Sequence, residues 1–287
     1  MIDTPFLARR ERFAVAGSTN DIVRDWLAAG EPEICLAIAD EQSAGRGREG
    51  RTWSAPAGRA LLLSLGFRPT WLAPERVWQL AGTVSLAMAE AAEQVAGLAA
   101  GAIRLKWPND LVVESSDEWL AGVSPSTSEG SWPAPGLEVR KLAGVLGETD
   151  GLGGDDPRAI IGIGINADWP AREFPLDLAE TMTSLREASG GRSVDADRLL
   201  EAFLSGVETR IETLRGGSFD ASGWTDRQLT TGRLVRLVGH DGVEETVRAL
   251  RSDPSSGALV VADLRTPTGE RALVSGEIRH VRLDGAV

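Results

Sequence analysis

Gly45-Arg46-Gly47-Arg48-Glu49-Gly50-Arg51-Thr52-Trp53 packs three arginines and three glycines into seven positions and closes on a tryptophan. Glycine is costly inside helices and strands, and no apolar residue recurs here with either period, so the stretch reads as a mobile loop at a sheet edge. Its backbone can approach a ligand closely. Its guanidinium groups are rigid forks of donors suited to phosphate or carboxylate. Trp53 offers a flat face for a base or an apolar wall. A small anion with a planar part, such as a nucleotide, fits that combination.

The rest of the chain frames the loop. It has 287 residues, enough for one main domain and a small appended one. With 30 Lys and Arg against 42 Asp and Glu, the net charge is −12, which argues against nonspecific nucleic-acid binding and makes the loop a positive spot on a negative body. The single cysteine, Cys35, lies in an apolar run and reads as a small buried hydrophobe; no disulfide or CxxC metal knuckle is possible within one chain. Two histidines, His240 and His280, make histidine catalysis an unpromising reading. No signal-peptide layout and no apolar run near the ~18 residues of a membrane span is present, so a cytoplasmic protein is expected.

Periodicity predicts the elements. Ser18-Thr19-Asn20-Asp21 precedes a helical face of Ile22, Val23, Trp26 and Leu27, with Ser18 and Asp21 at capping-box spacing and Gly30 as a stop. Strands are expected over 33–39, 60–67, 102–107, 111–113, 141–148 and 159–165, and helices from 74 to about 96, over 177–188 and from 195 to about 215. In the last of these, Leu199, Leu200, Phe203, Leu204, Val207, Ile211 and Leu214 make one apolar face. Residues 115–136, rich in Ser, Pro and Gly and holding Trp119 and Trp132, read as a flexible excursion between hairpin strands. After Gly232, short alternating strands separated by turn residues predict a small β-barrel.

Two familiar glycine motifs fail. No GxxxxGK[ST] exists, and Gly162-Ile163-Gly164-Ile165-Asn166-Ala167 carries its glycines inside a strand with no helix after it. Strand glycines mark close backbone approach. Lys106-Trp107-Pro108-Asn109-Asp110 ends a strand; there Asp110 can hold Mg²⁺ while substrate phosphates complete the shell, or the stretch can be an ordinary Asn-Asp turn. Lys141 returns toward the same edge and can neutralise an α-phosphate or a carboxylate, or be simply solvated.

Taken together, the Ser18–Asp21 stretch, Glu41-Gln42, the 45–53 loop, Lys106-Trp107-Pro108-Asn109-Asp110-Leu111, Lys141-Leu142-Ala143-Gly144-Val145-Leu146-Gly147-Glu148 and Gly162-Ile163-Gly164-Ile165-Asn166 resemble, in order, the catalytic region of biotin–protein ligases. The resemblance runs from about residue 14 to 215, and the C-terminal part resembles the family's SH3-like domain. It implies an α+β fold: a central mixed β-sheet with flanking helices, class II synthetase-like, in residues 1–231, and an SH3-like β-barrel in 232–287. It implies biotin–[acetyl-CoA-carboxylase] ligase activity. Biotin attacks the α-phosphate of ATP to give biotinyl-5′-AMP, and a lysine of a biotin carboxyl carrier domain of an acyl-CoA carboxylase then displaces AMP.

By the same resemblance, Lys141, Arg46, Arg48 and Arg51 would be catalytic. Biotin would meet Ser18, Thr19, Asn20, Gln42, Gly45, Arg46, Gly47, Arg48, Lys141 and Gly144. ATP and the adenylate would meet Arg48, Arg51, Trp53, Asn109, Lys141 and Asn166. Asp110 would hold Mg²⁺. About 17 residues precede Ser18, too few for the DNA-binding domain of some members, so no DNA binding is expected; nor is membrane binding, and the protein is expected to be a monomer or weak homodimer. Two alternatives stay open: a lipoate–protein ligase or octanoyltransferase, and a non-catalytic nucleotide- or RNA-binding module.

Overall fold

A computed structural model describes residues 6–114, 139–239, 243–263 and 265–274 and the strand at 280–283. The expected excursion over 115–136 lies outside these residues, as does the turn at His240 and Asp241. Among the described residues no helix is long and apolar enough to cross a membrane.

Seven strands form a mixed sheet in the order β1 (Arg9–Ala16), β2 (Cys35–Gln42), β3 (Ala60–Phe67), β7 (Arg158–Asn166), β6 (Val139–Asp150), β5 (Asp110–Glu114), β4 (Ile103–Lys106). Only β1 and β2 pair in parallel; every other neighbour is antiparallel. One face carries the main core, under α2 (Trp78–Ala96) and α4 (Ala196–Arg215). All seven apolar positions expected on α4 are buried there. The opposite face holds α1 (Thr19–Ala28), whose Val23, Trp26 and Leu27 pack on Cys35, Ala37 and Ile160. The Cys35 thiol is buried and free, and burial pushes its pKa up to about 11.

Period-2 alternation sorts the residues between the two faces. In β3, Leu61, Leu63 and Leu65 join the core while Leu62, Ser64 and Gly66 face the other way. In β7, Ile161, Ile163 and Ile165 join the core, which leaves Gly162 and Gly164 on the second face. That pair of glycines is what makes the second face hollow.

Several expectations need correction. The helix expected over 177–188 shrinks to α3 (Leu185–Ala188), capped by Ser184, whose hydroxyl accepts from the Glu187 N–H. Before it, residues 176–181 form turns, with the Met182 N–H donating to the Leu178 carbonyl, and the chain then leaves them at Met182, where Lys141 N–H donates to the Thr181 carbonyl and Thr183 N–H to the Lys141 carbonyl. Strand β1 and the short helix α5 (Ala221–Asp226) lack a clean period and were not expected. Ser18 does sit at the start of α1, but its side chain makes no capping bond, and Asp21 is turned away to arginines.

Residues 234–283 form a second, antiparallel sheet in the order β11 (Glu270–Leu273), β10 (Leu259–Ala262), β9 (Glu244–Ser252), β8 (Leu234–Val238), β12 (His280–Leu283). Among the described residues β11 and β12 remain unpaired edges, so this is an open sheet and not the closed barrel expected. Trp107 belongs to its core, and the indole N–H donates 3.0 Å to the Gly257 carbonyl. The Lys106–Asp110 turn is thereby anchored to the second sheet one residue from the polar groups it presents.

Candidate active site

The hollow face holds a cleft of about 660 Å³. Its floor is the register pair Gly144 and Gly164 on β6 and β7, and the Trp53 indole lies across both. A Cβ on Gly164 would come 2.6 Å from Trp53 Nε1, and one on Gly144 would come 3.2 Å from Cζ3. These strand glycines therefore admit a side chain of the arginine loop. The buried indole N–H of Trp53 (Nε1) meets no acceptor among the described residues.

The loop closes on itself. Arg46 and Thr52 form an isolated bridge, Gly47 N–H donates 2.7 Å to the Arg51 carbonyl, and Trp53 N–H donates 2.9 Å to that of Gly45. Gly45 does not line the cleft; a Cβ there would collide with the Trp53 carbonyl oxygen, so its glycine serves the loop's own closure. Arg48 and Arg51 both line the cleft, with Glu49 3.7 Å from Arg51. Burial pulls the Arg48 pKa below its ordinary value, and Arg51 adds to this, while Glu49 and Asp110 oppose it.

Lys141 is aimed by an irregularity. Between Leu111 and Val112 the β5–β6 register shifts, so that Leu142 and Ala143 both enter the core and Lys141 and Gly144 share the cleft face. Lys141 Nζ then sits 2.7 Å from Asp110 Oδ1 and 5.5 Å from the centre of the Trp53 ring. With Val112 on one side and the Thr181–Thr183 strap on the other, the Lys141 backbone is clamped.

Neutral polar groups gather at the α1 end. Gln42 Oε1 accepts from the Thr19 N–H at 2.7 Å and lies 3.1 Å from the Thr19 hydroxyl, which turns the amide nitrogen toward Gly45. Asn20 reaches into the hollow over Gly162; Ser64 Oγ donates to its Oδ1 at 2.6 Å, and its Nδ2 donates to Glu148 Oε2 at 2.6 Å. Ser18, Thr19 and Asn20 are all buried and line the cleft.

Other expected site residues are more committed. Asn109 Nδ2 donates to the Val145 carbonyl and Asn166 Nδ2 to that of Thr183, so both tie the cleft walls. Arg46 donates to Asp21 at 2.6 and 2.8 Å and stands 3.2 Å from Glu148. Asp110 contributes one carboxylate, engaged by Lys141, and among the described residues no group of three or more metal-ligating side chains forms. That donor set fits a cation whose shell is completed mainly by phosphates and water. Sequence reasoning missed Ser64 and assigned no role to Glu148; a lone serine in an otherwise apolar strand was the available signal.

The profile of the biotin/lipoate A/B protein ligase family matches residues 13–166, over half of the chain. The chain belongs to this family. Within the biotin/lipoate ligase family, the biotin–[acetyl-CoA-carboxylase] ligase of Mycobacterium tuberculosis is 28% identical over 274 residues, covering 94% of this chain and 88% of that protein. The bifunctional ligase/repressor BirA of Bacillus subtilis is 28% identical over 196 residues, covering 68% of this chain and 51% of BirA, so the chain spans about half the length of that relative. BirA of Escherichia coli is 36% identical over 226 residues, 78% of this chain and 60% of that one. The solved biotin protein ligase of Aquifex aeolicus in complex with biotin and ATP superposes with a TM-score of 0.69 at 24% identity, covering 98% and 100% of the two chains, a likeness of fold.

Proposed function

We propose that this protein is an ATP-dependent biotin–protein ligase, which makes biotinyl-5′-AMP and transfers biotin to a lysine of a biotin carboxyl carrier domain of an acyl-CoA carboxylase, in the cytoplasm. One observation carries the reading: a neutral polar pocket and a cationic loop open into the same cleft, with Lys141 Nζ beside Asp110 and the Trp53 ring. The names of the similar proteins support it.

The chemistry asks two anions to meet. A biotin carboxylate oxygen attacks the α-phosphorus, the bond to the β-phosphate breaks, and pyrophosphate leaves. Lys141, Arg48 and Arg51 neutralise the charge that builds up, from fixed positions that need no reorganisation. Ser18, Thr19, Asn20 and Gln42 bond the ureido ring, and Gly47 and Gly144 let it come close to backbone. Trp53 supports the adenylate, its orphaned N–H offering a donor; Asn109 and Asn166 complete that wall through their carbonyl oxygens. Asp110 is the carboxylate for Mg²⁺, an ion that would neutralise phosphate charge when bound. The neutral carrier amine then attacks the acyl carbon, loses a proton, and AMP departs. The catalytic unit is residues 1–231, and residues 232–287 are the SH3-like module.

Mass spectrometry of the protein incubated with ATP, Mg²⁺ and biotin tests this. Biotinyl-AMP is the expected product. Its absence, with lipoyl-AMP formed from lipoate instead, would refute the biotin assignment within the same family.

A further inference from the structure

Arg46 belongs to the cationic loop, yet its guanidinium is taken by the chain's own carboxylates. It grips both oxygens of Asp21, at 2.6 and 2.8 Å, and stands 3.2 Å from Glu148 Oε2. Glu148 Oε2 also accepts from Asn20 Nδ2 at 2.6 Å and pairs with Arg24 at 3.0 Å. Arg24 in turn reaches Asp21 at 2.6 Å and Asp150 at 3.6 Å. Three carboxylates thus face two guanidiniums, leaving one negative charge in excess. A carboxylate or phosphate of a substrate is repelled from such a group and drawn instead toward Lys141, Arg48 and Arg51. The pairing holds Asp21 below the usual carboxylate range and raises Arg46 further, so both stay charged at any working pH.

We propose that Asp21 and Glu148 form a clasp that holds the arginine loop closed by gripping Arg46, and that Arg46 is a positioning residue for the biotin end of the cleft, not a ligand of the reacting anions. Three parts of the fold meet at this clasp: the loop through Arg46, the first turn of α1 through Asp21, and β6 through Glu148. Asn20 connects them to the ligand pocket, because its amide is pinned between Glu148 and the buried Ser64. Loop closure and the arrangement of the polar pocket are thereby one event. The assignment of the ligand as biotin rests on the function proposed above; the clasp itself rests on the ion pairs.

The test is a double-mutant cycle on Asp21→Asn and Arg46→Gln, with Glu148→Gln as a third variant that keeps an acceptor for Asn20. Biotin Kd by calorimetry, ATP KM by pyrophosphate release, escape of biotinyl-AMP trapped by hydroxylamine, melting temperature and the rate of tryptic nicking after Arg48 and Arg51 are read for each. Asp21→Asn is expected to raise biotin Kd and adenylate escape about two- to fivefold, as suits a half-exposed ion pair, and to speed nicking, with ATP KM rising no further than biotin Kd and melting temperature unmoved. Combining it with Arg46→Gln is expected to add nothing to Arg46→Gln alone. Effects that multiply, an ATP KM raised more by Arg46→Gln than by Asp21→Asn, or an Asp21→Asn variant equal to wild type in biotin Kd and nicking would each overturn the clasp. A wild-type protein that makes no biotinyl-AMP would refute the function instead, and the nicking rates would still decide the clasp.

Discussion

Gly164→Ala puts one methyl group where the Trp53 indole now rests. Its Cβ would lie 2.6 Å from Nε1, 2.7 Å from Cε2 and 3.0 Å from Cζ2, against about 3.5–4.0 Å for ordinary contact. Without the indole, alanine in a strand interior would be stabilising by about 0.5–1 kcal/mol. With it, the ring must lift by about 1 Å, and overpacking of this kind costs about 1–3 kcal/mol. The ring's attachment cannot slide freely, because the backbone N–H of Trp53 is bonded to the Gly45 carbonyl and Thr52 is bridged to Arg46. The net destabilisation is therefore about 1 kcal/mol, or roughly 2–4 °C in melting temperature. The functional cost is larger, since stacking of a base on an aromatic side chain is worth about 1–3 kcal/mol and each 1.4 kcal/mol is tenfold. ATP KM in a pyrophosphate-release assay should rise about tenfold, with biotin Kd changed much less. In a Trp53→Ala background the same substitution should stabilise. A Gly164→Ala protein with wild-type ATP KM and melting temperature would refute the floor-and-platform geometry, as would destabilisation that persists without the indole.

Other consequences can be checked separately. Lys141→Ala should lower adenylate formation by about a hundredfold to a thousandfold, the scale for losing a fixed charge-stabilising group, while circular dichroism stays native; a wild-type rate of pyrophosphate release would remove Lys141 from the chemistry. Ser64→Ala deprives the Asn20 carbonyl oxygen of its buried donor, costing about 1–3 kcal/mol, and should loosen biotin about tenfold by calorimetry. Glu93→Ala strands Arg227, a partly buried guanidinium now 2.7 Å from the buried Glu93 carboxylate; urea unfolding should show a loss of about 3 kcal/mol, the low end for breaking a buried pair. Asp263 has its pKa lowered to about 2, chiefly by its bond with Arg265. Because the folded value lies below the unfolded one, its stabilisation is present above about pH 4 and is lost as pH falls toward 2. Asp263→Asn should therefore flatten the acid-side loss of stability in that window.

The helix and strand periods were legible where one face is buried throughout. α4 reads plainly because its seven apolar positions face a continuous core, and β3 and β7 because their leucines and isoleucines alternate into it. Strand β1 escaped notice: its Arg9-Arg10-Glu11-Arg12 start is polar on both faces of an edge, where pairing and not burial makes the strand. The helix expected over 177–188 is interrupted for a related reason: the local turn bonds from Leu178 to Met182 stop where Lys141 bonds the backbone of Thr181 and Thr183, and the helix starts only after Ser184. Residues of the cleft were recognisable as types, but their partners were not. Asp21 fitted a capping box by spacing and turned out to hold Arg46.

By itself the sequence determined which residues face the core, where the chain turns, and that an arginine-rich loop accompanies a strand-end lysine and aspartate. These are short-range properties, set by side-chain volume, period and backbone freedom within a few residues. Only the tertiary structure decided that Gly144 and Gly164 lie side by side as a floor for Trp53, that a register shift aims Lys141 at Asp110, and that Arg46 answers to Glu148, 102 residues away. Such meetings depend on strand order and register, which place distant segments against each other and leave no periodic trace in either one.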